Sequence, residues 1–513
     1  MGLATVQSGT VVGVCAASVR VEVDARRQGL RQFKVVGLAE SAVSEGRVRV
    51  ETALVNSGYR PASQRITVNL APAHLKKGGT ALDLPISLAI LAAQDQTLPG
   101  LSDGLRAHLV VGELALDGRV RSVRGCLSFA LLARDLGLPG VVVPRANARE
   151  AAVVEGLQVV PVDHLSDAVE TLRGERPASE LPDADVVAAR SAPDLVDVRG
   201  QHVARRALEI AAAGGHNLLL TGPPGAGKTM LAQRLPGIFP ALTRQERLEV
   251  SAIHSVKGLL PPEQGLLADR PFRAPHHTVS AAALIGGGNG VPCPGEVSLA
   301  HRGVLFLDEV PEFPRRVLEC LRQPLESGAV IVGRVHHTAQ LPADFALVAT
   351  MNPCPCGDRD TPGRSCRCTP AQVQRYRARV SGPLLDRIDL QVEVPPVAWE
   401  DLDGGAAGEP SAEVRARVCS ARRRQARRMG EVGVHRPNAR LAPAEVDRWC
   451  TPDERGRRLL REAVDRLGLS ARAYGRVRKV ARTIADLVGA GDIHGDHVHE
   501  ALSFRFNTGG VRG

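Results

Sequence analysis

The chain has 513 residues, of which 44% are apolar, 23% charged and only 3% aromatic. At roughly 100–200 residues per domain this predicts about three soluble domains and excludes a collagenous or disordered polypeptide. The formal charge is +10, but Ser411 to Thr483 holds 20 Lys/Arg against 8 Asp/Glu, so the basic character belongs to one C-terminal stretch.

The few aromatics argue against a base-stacking platform. The longest apolar run, Leu84 to Ala93, is too short to cross a bilayer, so no membrane partner is expected. Residues Met1 to Val14 lack a basic n-region, which predicts no secretory leader and a cytoplasmic protein. Ten cysteines are then reduced thiols or metal ligands rather than disulfides.

Residues 1–172 alternate strand-like and helix-like stretches. Arg65 to Leu70 alternates β-branched and polar residues as a strand does, Asp83 to Ala93 reads as an apolar helix, and Gly140 to Pro144 as a buried strand. A compact α+β domain is expected. Residues 173–193 carry three prolines and no apolar periodicity, which predicts a linker.

Residues 194–395 have α/β texture. Strands are predicted at Asn217–Thr221, Val304–Asp308 and Phe345–Thr350, each ending in polar residues, and parallel sheets bind ligands at such strand ends. Residues 396–513 open with linker-like Asp403 to Pro410. Helices are then predicted over Glu413–Met429, Glu454–Leu467 and Arg472–Val488. The tract Asp492 to His499 reads as a helix start capped by Asp496 rather than as a metal site.

The strongest chemical signal is Gly222-Pro223-Pro224-Gly225-Ala226-Gly227-Lys228-Thr229, a phosphate loop between a strand and a helix pattern. Its glycines let backbone N–H groups turn toward phosphate oxygens. Lys228 would reach the β- and γ-phosphates of ATP, and Thr229 would offer its hydroxyl to Mg²⁺. Val304 to Leu307 delivers two carboxylates. Asp308 would join the Mg²⁺ shell and Glu309 would polarise the attacking water. Asn352, after the third strand, would orient that water. Arg387 is either a surface residue or a cation reaching a neighbouring subunit's γ-phosphate.

Cys354, Cys356, Cys366 and Cys368 lie within fifteen residues. They form either a structural Zn²⁺ site or a set of reduced, redox-sensitive thiols. Arg422, Arg423, Arg424, Arg427 and Arg428 are candidate contacts to nucleic-acid phosphates. The alternative for them is a solvated arginine-rich helix.

Phosphate loop, Asp-Glu, Asn and Arg in this order resemble an AAA+ ATPase. Arg270-Pro-Phe-Arg-Ala-Pro-His-His277, Pro294 to His301, Asn352-Pro-Cys-Pro-Cys-Gly357 and Ser470 to Arg476 resemble the magnesium-chelatase-like group and, within it, the ComM/YifB family. The resemblance spans essentially the whole chain. It implies an AAA+ core (194–395) with a C-terminal basic helical lid (396–513), assembled as a homo-oligomeric ring, a hexamer, with ATP at the subunit interfaces. It places Lys228 and Thr229 in Walker A, Asp308 and Glu309 in Walker B, Asn352 at sensor 1, Arg387 at the finger and Arg472 at sensor 2.

It also implies ATP-driven branch migration of single-stranded or branched DNA in natural transformation, alongside a recombinase. Arg334, on a hairpin predicted at Val330 to Thr338, becomes a pore candidate for DNA. A chelatase motor subunit and a protein-remodelling ATPase are the alternatives. Residues 1–172 resemble the Lon proteolytic domain, with Thr80 near the nucleophile motif. Gly125 to Leu132 lacks the lysine that such a dyad needs, so a non-proteolytic domain is expected.

Overall fold

The structure, a computed structural model, describes residues 2–26, 32–38, 40–59, 65–94, 98–179, 192–262, 264–287, 292–333, 338–359, 363–397, 408–430 and 436–506. Arg334 and most of both predicted linkers (180–191, 398–407) lie outside the described residues.

The N-terminal part is built on a seven-stranded mixed sheet. Its strands are β1 (Gly2–Val12), β2 (Cys15–Arg26), β3 (Gln32–Val36), β4 (Arg65–Ala71), β5 (His108–Val110), β6 (Gly140–Pro144) and β7 (Gln158–Val162), in the order β3-β4-β2-β1-β5-β6-β7. In β4 burial alternates along the strand, as its sequence alternation requires; β6 is buried at every residue, as expected of a parallel strand covered on both faces. Among the helices, α1 (Ser41–Asn56) packs against α2 (Asp83–Ala93), and α2 also lies on β1 and β2. α2 is apolar around its circumference and buried at every position, so the sheet and α1 enclose it. Its buried first residue, Asp83, receives two bonds from Arg49, at 2.7 and 3.1 Å.

α3 (Cys126–Asp135) faces the next part of the chain. That part contains α4 (His202–Gly214), β8 (Leu218–Thr221), α5 (Lys228–Ile238), α6 (Arg244–Lys257), β9 (Phe272–Arg273), β10 (Val304–Leu307), the hairpin β11 (Ala329–Gly333) and β12 (Thr338–Pro342), β13 (Ala346–Met351), α7 (Pro370–Arg377) and β14 (Leu390–Glu393). The central sheet is wholly parallel, in the order β9-β10-β13-β8-β14. β10 and β13 are buried throughout, so their side chains have no alternative to the core, and only their carboxyl ends meet solvent.

The helices α8 (Ser411–Met429), α9 (Glu454–Leu467), α10 (Ala471–Val488) and α11 (Gly495–Phe506) complete the described chain. α8 buries Val414, Val418, Ala421, Gln425 and Met429, a stripe at helical spacing facing α4, α5 and α10. Their apolar residues form one core with one face of the central sheet.

The N-terminal part docks on the part that follows it through α3 and through the β1–β2 turn, among other contacts. α3 packs on α6, the Gly125 N–H donates to the Ser255 carbonyl at 3.1 Å, and the Ser255 hydroxyl donates to the buried Glu150 carboxylate. The β1–β2 turn meets the β11–β12 hairpin: a Cβ on Gly13 would stand 3.2 Å from Ala339 and Leu341.

Candidate nucleotide site

β8 carries the phosphate loop at its carboxyl end. The Gly222 N–H donates to the Met351 carbonyl at 3.2 Å, which ties the loop to the end of β13. A Cβ on Gly222 would fall 2.2 Å from the Val394 carbonyl oxygen, and Gly225 and Gly227 adopt φ of 80° and 86°, so glycine is required for closeness at the first and for backbone freedom at the others.

Lys228 opens α5, and its ammonium donates to the carbonyls of Gly222 (2.7 Å) and Pro223 (2.8 Å) and to Asn352 Oδ1 (3.1 Å). Burial lowers its pKa, against the pull of Asp308 and Glu309. The Thr229 hydroxyl donates to Asp308 Oδ2 at 3.2 Å, and the Thr350 hydroxyl to Asp308 Oδ1. The Glu309 N–H donates back to Thr350 at 2.9 Å, which orients an exposed carboxylate on a residue at φ 52°.

β13 lies between the phosphate-loop strand and the acidic strand, which is how Asn352 comes within reach of Lys228. Sequence reasoning missed Thr350; its signal was a single hydroxyl within a buried apolar strand. It also missed Tyr376, whose phenol is pushed up to about 12 by burial and takes a hydrogen bond from the Asn352 backbone.

Two predicted site residues stand elsewhere. Arg387 lies three residues before β14, at the edge of the sheet opposite the loop. Its guanidinium donates to the Pro383 carbonyl (2.6 Å) and to the Glu326 carboxylate. Arg472 is exposed on the first turn of α10.

The four cysteines do converge. Sγ separations are 3.4 Å (Cys354–Cys356), 3.6 Å (Cys354–Cys366) and 3.7 Å (Cys356–Cys366), and all four sulfurs lie within 4.8 Å of one another. A tetrahedral Zn²⁺ with bonds of about 2.3 Å would set its sulfurs about 3.8 Å apart, so the thiols fit this ion. Backbone N–H groups of Asp358 and Arg367 draw the Cys356 thiol down to about 6, toward the ligating thiolate. The cysteine loop also leans on the phosphate loop: a Cβ on Gly357 would stand 2.6 Å from Pro224 Cδ.

The arginine-rich helix departs from expectation. Arg422 donates to the Ala212 carbonyl (2.9 Å), Arg424 to the Asp486 carbonyl (2.7 Å) and Arg428 to the Asp486 carboxylate. Arg422 and Arg424 thus cap the last turns of α4 and α10, where carbonyls lack helical partners, Arg428 is held in an ion pair with the Asp486 side chain, and the three do not form an open phosphate-contact row. Burial lowers Arg422 to about 10. Arg423 and Arg427 remain exposed on α8, with Arg458 and Arg461 exposed on α9.

The Asp492 to His499 tract is a helix start, but Asp496 lies inside the helix and pairs with Arg455 at 3.0 Å; the Gly495 N–H donates instead to Asp453 (3.2 Å), the N-cap of α9, which also accepts from the Gly456 N–H at 2.7 Å. Among the described residues the four cysteines are the one metal-competent cluster of three or more such ligands.

A parallel sheet whose phosphate-loop strand is separated from the acidic strand by an Asn-bearing one fits an AAA+ P-loop core. Family models agree along the chain: residues 194–402 match "Magnesium chelatase, subunit ChlI", residues 21–147 "Subunit ChlI of Mg-chelatase", and residues 408–505 "Magnesium chelatase, subunit ChlI C-terminal". The chain is 45% identical over 507 residues to the uncharacterised protein YifB of Salmonella typhimurium, covering 98% of this chain and 97% of YifB. It is 45% identical over 516 residues to the competence protein ComM of Haemophilus influenzae, covering 98% of each. An uncharacterised protein of Mycobacterium tuberculosis is 45% identical over 513 residues and the full length of both. The chain belongs to the ComM/YifB family.

Proposed function

We propose that the protein is a ring-forming motor that hydrolyses ATP and remodels DNA by branch migration. The observation that carries the ATPase reading is the convergence of Lys228, Thr229, Asp308 and Asn352 on one loop. On binding ATP, Lys228 exchanges two loop carbonyls for phosphate oxygens. Thr229 and Asp308 would hold Mg²⁺, which would supply charge neutralisation at the phosphates. Thr350 fixes the carboxylate of Asp308, Glu309 takes the proton of the attacking water, and Asn352 orients that water. Arg387 and Arg472 lie outside this cluster, and Arg387 serves the neighbouring subunit's nucleotide in a hexamer.

The DNA reading is supported by the family resemblance and by exposed Arg423 and Arg427, which suit sequence-independent phosphate contacts. Arg334 is proposed for the same role from its position between β11 and β12. Cys354, Cys356, Cys366 and Cys368 would hold Zn²⁺ as a closed structural cross-link, and the loop they form would then brace the Pro224 side of the phosphate loop.

The N-terminal part is a Lon-like platform without protease activity. Thr80 donates its hydroxyl to Glu113, and no lysine stands on the 125–132 segment to activate it.

Steady-state ATPase measured without DNA, with single strands, with duplex and with a four-way junction, across salt, tests this reading. Stimulation greatest with the junction and lost at high salt is the expected result. A rate indifferent to every DNA overturns the DNA-motor reading in favour of a protein substrate.

A further inference from the structure

The segment Arg387–Asp389 is held by donors from three other elements. The Arg387 carbonyl accepts from Asn217 Nδ2 (2.8 Å) and Arg476 Nη1 (3.0 Å). The Ile388 carbonyl accepts from Arg505 Nη1 (2.7 Å) of α11. The Asp389 carboxylate accepts from Arg476 Nη1 (2.6 Å) and from the Asn217 N–H (3.0 Å). Burial alone would raise the Asp389 carboxyl, but Arg476, His216 and the Asn217 N–H hold it well below the usual carboxylate range.

The origin of these donors matters. Asn217 is the residue before β8, whose other end is the phosphate loop. Its Oδ1 also accepts from the Leu347 N–H (3.0 Å) of β13, the strand that leads into Asn352. Arg476 lies one turn beyond Arg472 on α10, so the two share a helix face. One nitrogen of Arg476 thus links the C-terminal helices to the backbone of Arg387, and Asn217 links both nucleotide-facing strands to the same backbone.

We propose that Arg476 and Asp389 are positioning residues for Arg387: they make the reach of Arg387 into the neighbouring subunit depend on where α10 sits over its own subunit. The proposal rests on the reading that Arg387 acts in trans. A shift of α10 or of either strand would displace the Arg387 backbone through this buried node, and with it the group offered to the next subunit's γ-phosphate. The Arg387 side chain itself is released from Glu326 when the neighbour's phosphate competes for it.

Mixed assemblies of full-length chains test this. Each site takes Glu309 from one subunit and Arg387 from the next, so a Glu309→Gln chain mixed with an Arg387→Ala chain recovers part of the ATPase. Arg476→Ala alone should bind ATP normally and lose about 100-fold in turnover, the usual cost of a displaced catalytic group. Arg476→Lys, which can place one nitrogen on both acceptors, should return most of that loss. Arg476→Ala mixed with Glu309→Gln should recover activity, and mixed with Arg387→Ala should not.

Recovery with Arg387→Ala but not with Glu309→Gln would mean that Arg476 serves its own subunit's site, and would overturn the proposal. Recovery with neither, while the Glu309→Gln and Arg387→Ala control recovers, assigns Arg476 to folding alone and also overturns it. If that control fails to recover, the in-trans reading of Arg387 falls, and the proposal with it. Arg476→Gln replaces the alanine variant in every arm if Arg476→Ala does not assemble.

Discussion

Two glycine-containing turns, one opening α5 and one shortly ahead of α2, each carry a lysine and a threonine, and they have opposite fates. Before α5, Lys228 and Thr229 hold partners that a nucleotide can replace: carbonyls of the loop itself, Asn352, and a carboxylate suited to Mg²⁺. Before α2, Lys77 is fully buried and donates to the Gly37 (2.9 Å) and Pro72 carbonyls, while Thr80 donates to Glu113. Burial lowers the pKa of both lysines. The difference lies in what surrounds them. The phosphate loop stands at the open carboxyl edge of a parallel sheet, where several groups converge on solvent. The Lys77 amine is instead buried between Gly37, just after β3, and Pro72, just after β4, so it serves the fold.

This contrast can be broken or sharpened experimentally. The largest effect is expected from Lys228→Ala: loss of nucleotide binding and at least about 100-fold lower turnover, with the folded structure retained. Equilibrium titration with a fluorescent ATP analogue, beside circular dichroism, checks it. Replacing Cys354 and Cys356 together with Ser should remove about one zinc per chain, since a tetrahedral site does not survive on two thiolates. It should also lower both the melting temperature and ATP affinity. Metal analysis of the purified protein reads the first effect, and unchanged zinc content would reject the site.

Lys77→Ala should do the reverse of Lys228→Ala. Leaving two buried carbonyls without a donor costs about 1–3 kcal/mol of stability, read as a lower denaturant midpoint, while the ATPase of the folded fraction stays as it was. The smallest effect belongs to Thr80→Ala, which removes one partly buried hydrogen bond. It should cost about 1 kcal/mol and leave ATPase unchanged, whereas Thr229→Ala should weaken Mg²⁺-dependent turnover strongly. A proteolytic activity lost on Thr80→Ala would refute the non-proteolytic reading of the N-terminal part.

Much of this was legible in the residues because the relevant signals are local. The phosphate loop needs glycines at set positions, a strand before it and a helix after it, and all are contiguous. α9 runs from Glu454 to Leu467 as its periodicity predicted, and α2 from Asp83 to Ala93. The arginines of α8 were not legible in the same way. Charge along a helix does not say which residues reach a neighbouring helix end, and of the five candidates two turned out to satisfy carbonyls of α4 and α10 while a third pairs with the Asp486 carboxylate.

What the sequence by itself determined, then, was the chemistry of the nucleotide loop, the metal-competent thiol set and the periodicity of the long helices, because each depends on residue types a few positions apart. Only the tertiary structure decided which polar groups meet across the chain. Thr350 orients Asp308, Glu150 is sealed against Ser255, and Asp389 joins Asn217 to Arg476. A buried polar atom must find a partner wherever the packing places one, and that requirement carries no signature along the chain.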